Sequence, residues 1–250
     1  MKKHLSLLTV LALGLGSTLA PAQMGGLSGA TALDPTFTKL FASNPQFTAS
    51  IRTEIKPNPS DTIIMPGKIA FDSGKARFEM QMGDATGINL PAQVLDQMKI
   101  MGLDQMVAVM LPEQKLGYII YPKMQTYVKN PLPADKTGTN GPAPIKVTAI
   151  DKEPMAGHPC IKNQVVVSDS QGVPQNFTVW NATDLNQFPV KIINANQAMG
   201  LTMTFTNISL TKPDAKLFAL PAGFTAYDNM QTMMQAEMMK RINGGMAPPQ

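Results

Sequence analysis

The sequence is poor in the residues from which most catalytic and metal centres are built. It holds one cysteine, Cys160, and two histidines. A lone cysteine excludes an intramolecular disulfide, so stability has to come from a packed core. No Cys-x-x-Cys pair and no cluster of His and Cys at zinc spacing occurs. Gly-x-Ser-x-Gly, the Walker loop and the dinucleotide fingerprint are also missing. Charged residues make up only 15% of the chain. No basic cluster interleaved with aromatics appears among them, which removes the electrostatic footprint of a nucleic-acid binder. Beyond the N-terminal stretch no run is apolar enough to span a bilayer as a helix.

That N-terminal stretch sets the expected compartment. Lys2, Lys3 and His4 form a basic head, Leu5 to Ala20 is almost wholly apolar, and Ala20-Pro21-Ala22 offers small residues to a signal peptidase. Residues 1–22 therefore read as a cleaved signal peptide with the cut after Ala22, and the protein as periplasmic or secreted. No cysteine sits at the expected cleavage point, so no lipid anchor is expected. Losing Lys2 and Lys3 brings the 21 basic and 17 acidic residues close to balance. With 44% hydrophobic residues the remainder can fill a sizeable core.

Residues 23–33 read as a flexible lead-in, 34–243 as a single, mostly β domain, and 244–250 as a disordered tail. Asp34-Pro35 opens a short helix whose apolar face is Phe37, Leu40 and Phe41. From Phe47 the period becomes two. Lys68–Asp72 and Lys75–Met82 flank Ser73-Gly74, a hairpin turn, and in the second arm Ala76, Phe78, Met80 and Met82 alternate with Lys75, Arg77, Glu79 and Gln81. A second helix runs from Pro91 to Met101 with Val94, Leu95, Met98 and Met101 on one side and Gly102 as its stop. Strands are expected at Gln105–Leu111, Lys115–Tyr121 and Gln125–Lys129, then an exposed loop over 130–144. Further strands are expected at Lys146–Asp151, Ile161–Ser168, Gln175–Asn181, Val190–Ala195 and Gly200–Leu210, the last with a β-bulge near Thr206-Asn207. A third helix spans Asp228 to Ile242. Helix, strands, helix, strands, helix is an α+β order that excludes a βαβ parallel sheet.

Four segments resemble the outer-membrane lipoprotein carrier and receptor (LolA/LolB-type) fold and a family of secreted bacterial domains related to it. They are Met155-Ala156-Gly157-His158-Pro159-Cys160, the run Val179-Trp180-Asn181-Ala182-Thr183-Asp184-Leu185, then Phe188-Pro189-Val190-Lys191, and Leu217-Phe218-Ala219-Leu220-Pro221-Ala222-Gly223-Phe224. The resemblance covers residues 35–240. It implies a curved antiparallel sheet open on one side like a half-barrel, with helices over the concave face, and a hollow that shelters acyl chains. No catalytic residue belongs to the pattern. The physics of such a site is hydrocarbon burial. At about 0.8 kcal/mol per methylene, a chain of roughly a dozen methylenes gains on the order of 10 kcal/mol before association costs.

The candidate ligand floor is the apolar sheet face with Phe78, Met80, Met82, Met203 and Phe205. The candidate lid is the last helix, where Met230, Met233, Met234 and Met238 form a stripe continuing to Ile242. Three readings of that stripe stand side by side: an ordinary packed helix, an adaptable lid of flexible thioethers, and a Cu(I) site of soft sulfur ligands. His158-Pro159-Cys160 reads as a turn followed by a core cysteine, because the proline does not aim the imidazole at the thiol. Asn176, Asn181 and Asn207 each begin a glycosylation-type triplet, two of them inside expected strands, and read as chance matches. The reading is thus a non-enzymatic module, with no cofactor, that binds a lipid or acylated protein and touches the outer membrane or envelope proteins peripherally. A structural or interaction domain with a filled core is the alternative, and methionine-rich copper binding the third reading.

Overall fold

The computed structural model describes residues 35–58, 60–88, 91–132, 145–168, 172–194 and 200–244. The expected signal peptide, the lead-in and nearly all of the tail lie outside the described residues, as do Asp34 and residues 133–144 of the loop expected over 130–144. Among the described residues no helix is long and apolar enough to cross a membrane.

One open sheet of twelve strands carries the fold: β1 (Gln46–Asn58), β2 (Asp61–Asp72), β3 (Lys75–Gln81), β4 (Gln105–Leu111), β5 (Leu116–Tyr121), β6 (Thr126–Pro131), β7 (Lys146–Met155), β8 (His158–Ser168), β9 (Pro174–Ala182), β10 (Phe188–Asn194), β11 (Gly200–Ser209) and β12 (Thr225–Tyr227). Their spatial order is β12-β6-β5-β4-β3-β2-β1-β11-β10-β9-β8-β7. Two antiparallel meanders, β1 to β6 and β7 to β11, therefore meet along a seam between the first strand and the eleventh. The exception to the antiparallel rule is β12, which pairs with β6 in parallel.

The turn chemistry explains this local grammar. Ser73 and Gly74 both take positive φ (50° and 93°), as do Ala156 and Gly157 (52° and 86°), the signature of the primed two-residue turns that match strand twist. The Ala156-Gly157 turn lets β7 run on to Met155 and β8 begin at His158, so this hairpin is longer than its apolar pattern suggests. Two further turns repeat one device. Pro112–Gln114 and Pro122–Met124 form single 3₁₀ turns closed by Lys115 and Gln125 in the left-handed region. The expected bulge is present: Thr48 pairs with Ser209 but Ser50 with Thr206, and Asn207 takes φ 50°.

Helical segment α1 (Pro35–Thr38) continues as a 3₁₀ turn over Lys39–Phe41. Helix α2 (Ala92–Met101) ends on Gly102 in the left-handed region, and α3 (Met230–Asn243) starts from Asn229, whose side chain accepts from the Thr232 amide at 2.8 Å. β3 stops at Gln81, and Met82 opens a 3₁₀ turn instead of completing the alternation.

Register places side chains on faces, because directly paired residues point the same way. Ile51 pairs with Phe205, Thr53 with Met203, Ile69 with Phe78, and Phe78 with Ala108. This face, which α1 and α3 cover, holds the main core. β4 is buried along nearly its whole length, and its Val107, Val109 and Leu111 point to the opposite face. There the segment after β11 covers them: Phe218 is buried, with Leu217, Leu220 and Phe224 beside it. The mostly β class with one open sheet is as expected, but of the three expected helices the first is a four-residue turn and only two are full length, and the opposite face carries a second apolar layer built by the Leu217–Phe224 motif.

Candidate functional site

The helix-covered face has two ends of different chemistry. At the α1 end, Phe41 is 1% exposed and its ring lies among five others, 5.2 Å from Phe37, 4.8 Å from Phe47, 5.9 Å from Phe71, 5.8 Å from Phe188 and 5.7 Å from Phe205 between centroids. Phe37 sits 6.0 Å from Phe78. Tilted and edge-on geometry of this kind adds about 0.5–1.5 kcal/mol per pair to the area buried. Phe78, Met203 and Phe205, expected as ligand floor, are buried in this cluster, at 5%, 5% and 0% exposure. The space above them is occupied by the chain's own rings. Met82 packs half-buried at the margin of the same cluster.

The α3 end is made of thioethers. Met106 and Met233 are buried there with Tyr121 and Val128, and Met80, Met124, Met234, Leu103, Ile119 and Tyr227 pack around them. Tyr121 and Thr126 are directly paired between β5 and β6. Each hydroxyl donates to a sulfur of α3, Tyr121 to Met230 at 3.5 Å and Thr126 to Met233 at 3.3 Å. Burial pushes the Tyr121 phenol up to about 12. At the periphery the Tyr227 hydroxyl donates to Glu237 Oε1 at 3.0 Å, and Lys240 pairs with the same oxygen at 2.7 Å.

The candidate residues therefore divide. Met80, Met233 and Met234 come together, with Met230 reaching in through Tyr121, while Phe78, Met203 and Phe205 belong to the sealed aromatic end. The stripe does not stay buried to its end. Met238 and Ile242 are exposed at 55% and 47%, as is Met239. The last turns of the helix are tied to α2, where Arg241 donates to the Ile100 carbonyl at 2.9 Å. Met106, Met124, Tyr121 and Thr126 were not singled out in the sequence. The unbroken apolar run Met106–Leu111 was the available signal, since a strand buried on both faces has two sets of neighbours.

His158-Pro159-Cys160 lies in the other meander. The imidazole Nδ1 is 2.9 Å from Asp184 Oδ2, and the buried Cys160 thiol faces the carbonyls of His158 and Met155 at 3.4 and 3.8 Å. Burial pushes the thiol pKa up. The imidazole is held by Asp184 and the thiol faces backbone carbonyls, so the two are not paired with each other. Trp180, in the second resemblance segment, donates from Nε1 to Glu153 at 2.7 Å, and Lys162 and Lys191 approach its ring centroid at 5.1 and 5.0 Å. The indole hydrogen bond is the main cause that holds the Glu153 carboxyl below its usual range. Among the described residues no group of three or more His, Cys, Asp or Glu side chains is placed to hold a metal ion.

No protein-family model matches the chain. No curated protein matches it either. Solved structures that the chain resembles are remote in sequence. A LolA superfamily protein from Nitrosomonas europaea aligns with a TM-score of 0.35 at 7% identity, over 74% of this chain and 97% of that one. The lipoprotein LppX from Mycobacterium tuberculosis gives a TM-score of 0.37 at 11% identity, over 70% and 91%. The complex of MucA and MucB from Pseudomonas aeruginosa gives 0.35 at 14% identity, over 79% and 64%, so this chain spans less than two thirds of that one.

Proposed function

We propose that this protein is an exported, non-enzymatic binding or carrier-type module for an acyl chain, either of a free lipid or of an acylated protein. The guest lies between α3 and the methionine-rich end of the sheet. One observation carries the reading: Met80, Met106 and Met124 gather against Met233 and Met234 of α3, a helix of which only Met233 is fully buried. Unbranched thioethers repack around shapes that branched side chains reject. The hydroxyl–thioether contacts beneath the helix are weak, so lifting α3 costs chiefly the burial of its methionines and the two peripheral hydrogen bonds, Tyr227 to Glu237 and Arg241 to the Ile100 carbonyl. Met80, Met230, Met233 and Met234 are the residues that contact the guest. Phe78, Met203 and Phe205 extend the floor only when α1 withdraws Phe37 and Phe41.

Purified protein examined by native mass spectrometry, followed by titration with a fluorescent fatty acid, tests the proposal. The expected result is co-purified lipid or saturable uptake of the probe, weakened by Met233→Ala. Protein that is only ever apo and takes up no probe overturns it. A second reading, an envelope interaction domain with a filled core, is favoured by the close packing of Phe41 among Phe47, Phe71, Phe188 and Phe205. That same null result would select it.

A further inference from the structure

On the sheet face opposite the helices, small and fixed side chains leave a groove. Thr48, Ala70 and Arg77 form one cross-strand row, and Ser50, Lys68 and Glu79 form the next. The Ala70 methyl cannot fill the space between Thr48 and Arg77. The bulge at Asn207 bounds one side of the depression, and Leu217, in the 3₁₀ turn Ala215–Phe218, walls the other. The groove is open to solvent on one side and holds about 320 Å³, near the lower end of the range of roughly 300–1,000 Å³ for small-molecule sites.

Its walls are held open. Arg77 cannot fold into the space, because Nε donates to Glu79 at 2.9 Å and Nη1 to the Leu217 carbonyl at 3.0 Å. Asn207 donates from Nδ2 to Ser50 Oγ at 3.2 Å, which fixes that hydroxyl at the rim. Arg77 and Glu79 cancel. Lys68 is exposed and has no ion pair among the described residues, which leaves one uncompensated cation at the mouth.

We infer that this groove is a second ligand site, independent of the methionine-rich end, for a small amphipathic carboxylate. Its head sits between the Lys68 ammonium and the Ser50 and Thr48 hydroxyls, and its hydrocarbon body lies along Ala70 and Leu217. A bare inorganic anion leaves the apolar wall unused, and a neutral alcohol leaves Lys68 unpaired.

Amide-detected NMR titration with sodium octanoate, below its micellar range, reads the site directly. Shifts at Ser50, Lys68 and Leu217 are expected, with octanol and inorganic phosphate both binding more weakly. Lys68→Gln, on an exposed side chain, keeps the wild-type Tm and weakens octanoate roughly five-fold at low salt, a difference that shrinks as salt screens the charge. Shifts at Tyr121, Thr126 and Met233 with a silent groove overturn this inference while supporting the methionine site. Equal affinity for octanol, equal affinity for phosphate, or indifference to Lys68→Gln each overturns it as well.

Discussion

Thr126 and Met233 stand 107 residues apart, yet the fully buried threonine hydroxyl donates to the methionine sulfur at 3.3 Å. A thioether is a weak acceptor, and a buried hydroxyl given no other partner would be expected to destabilise the fold. The pairing makes sense as geometry. Tyr121 and Thr126 are neighbours across two strands, and Met230 and Met233 are neighbours one turn apart on α3. Matching the two spacings seats the helix in one register on the sheet while leaving it weakly attached.

Packing, and not the hydrogen bond, should dominate that attachment. Met233→Ala is expected to cost about 2–4 kcal/mol in urea unfolding, and Met233→Leu less than about 1.5 kcal/mol. Thr126→Val, which keeps the shape and removes only a donor to sulfur, is expected to change stability by less than about 1 kcal/mol. A larger loss for the valine than for the alanine variant would reverse this ranking.

The aromatic end should be the stiffer one. Phe41→Ala is expected to destabilise by about 3–5 kcal/mol and to leave a dry cavity over Phe205. Thermal unfolding measures the first effect. Binding of a small apolar probe such as benzene, absent in the wild type, measures the second.

Tyr121 gives stability a definite pH dependence. Its folded-state pKa lies above the unfolded value of 10.0, at about 12. The contribution is complete below pH 10 and is lost as pH rises toward 12, because the unfolded chain ionises first. The loss over that window is on the order of 2–3 kcal/mol. Tyr121→Phe should remove this component, and spectrophotometric titration should show one phenol ionising late in the wild type and none so late in the variant.

Cys160 should behave as an inert thiol in the folded protein. Burial raises its pKa and its sulfur faces backbone carbonyls, so reaction with a disulfide reagent is expected to be slow until urea unfolds the chain. Fast labelling of native protein at neutral pH would contradict the packing described here.

Much of this architecture was legible in the residues themselves. The alternation of Ala76, Phe78 and Met80, the Ser73-Gly74 turn and the register jump at Thr206-Asn207 each state a local geometry that tertiary packing had no reason to overrule. What stayed hidden depends on partners distant in sequence. Thr225–Tyr227 is too short to carry a period, and it is a strand only because β6 lies beside it. The buried extent of α3 could not be read from its stripe, since the stripe cannot say where the sheet beneath it ends. Phe37 and Phe41 predict an apolar helix face, but not that their rings would occupy the hollow expected for a guest.

The seam between β1 and β11 has a consequence for how such a sheet comes into being. Ile51 finds Phe205 only after nearly the whole chain is available. Hairpin by hairpin each meander can zip from nearby partners, but the two join through pairs remote in sequence, the slow class of β-pairing. Until that last union, β1 and β11 are bare borders with greasy flanks, prone to stick to strangers. Emergence from the N-terminus leaves the first border waiting longest, and an escort would be needed most during that interval.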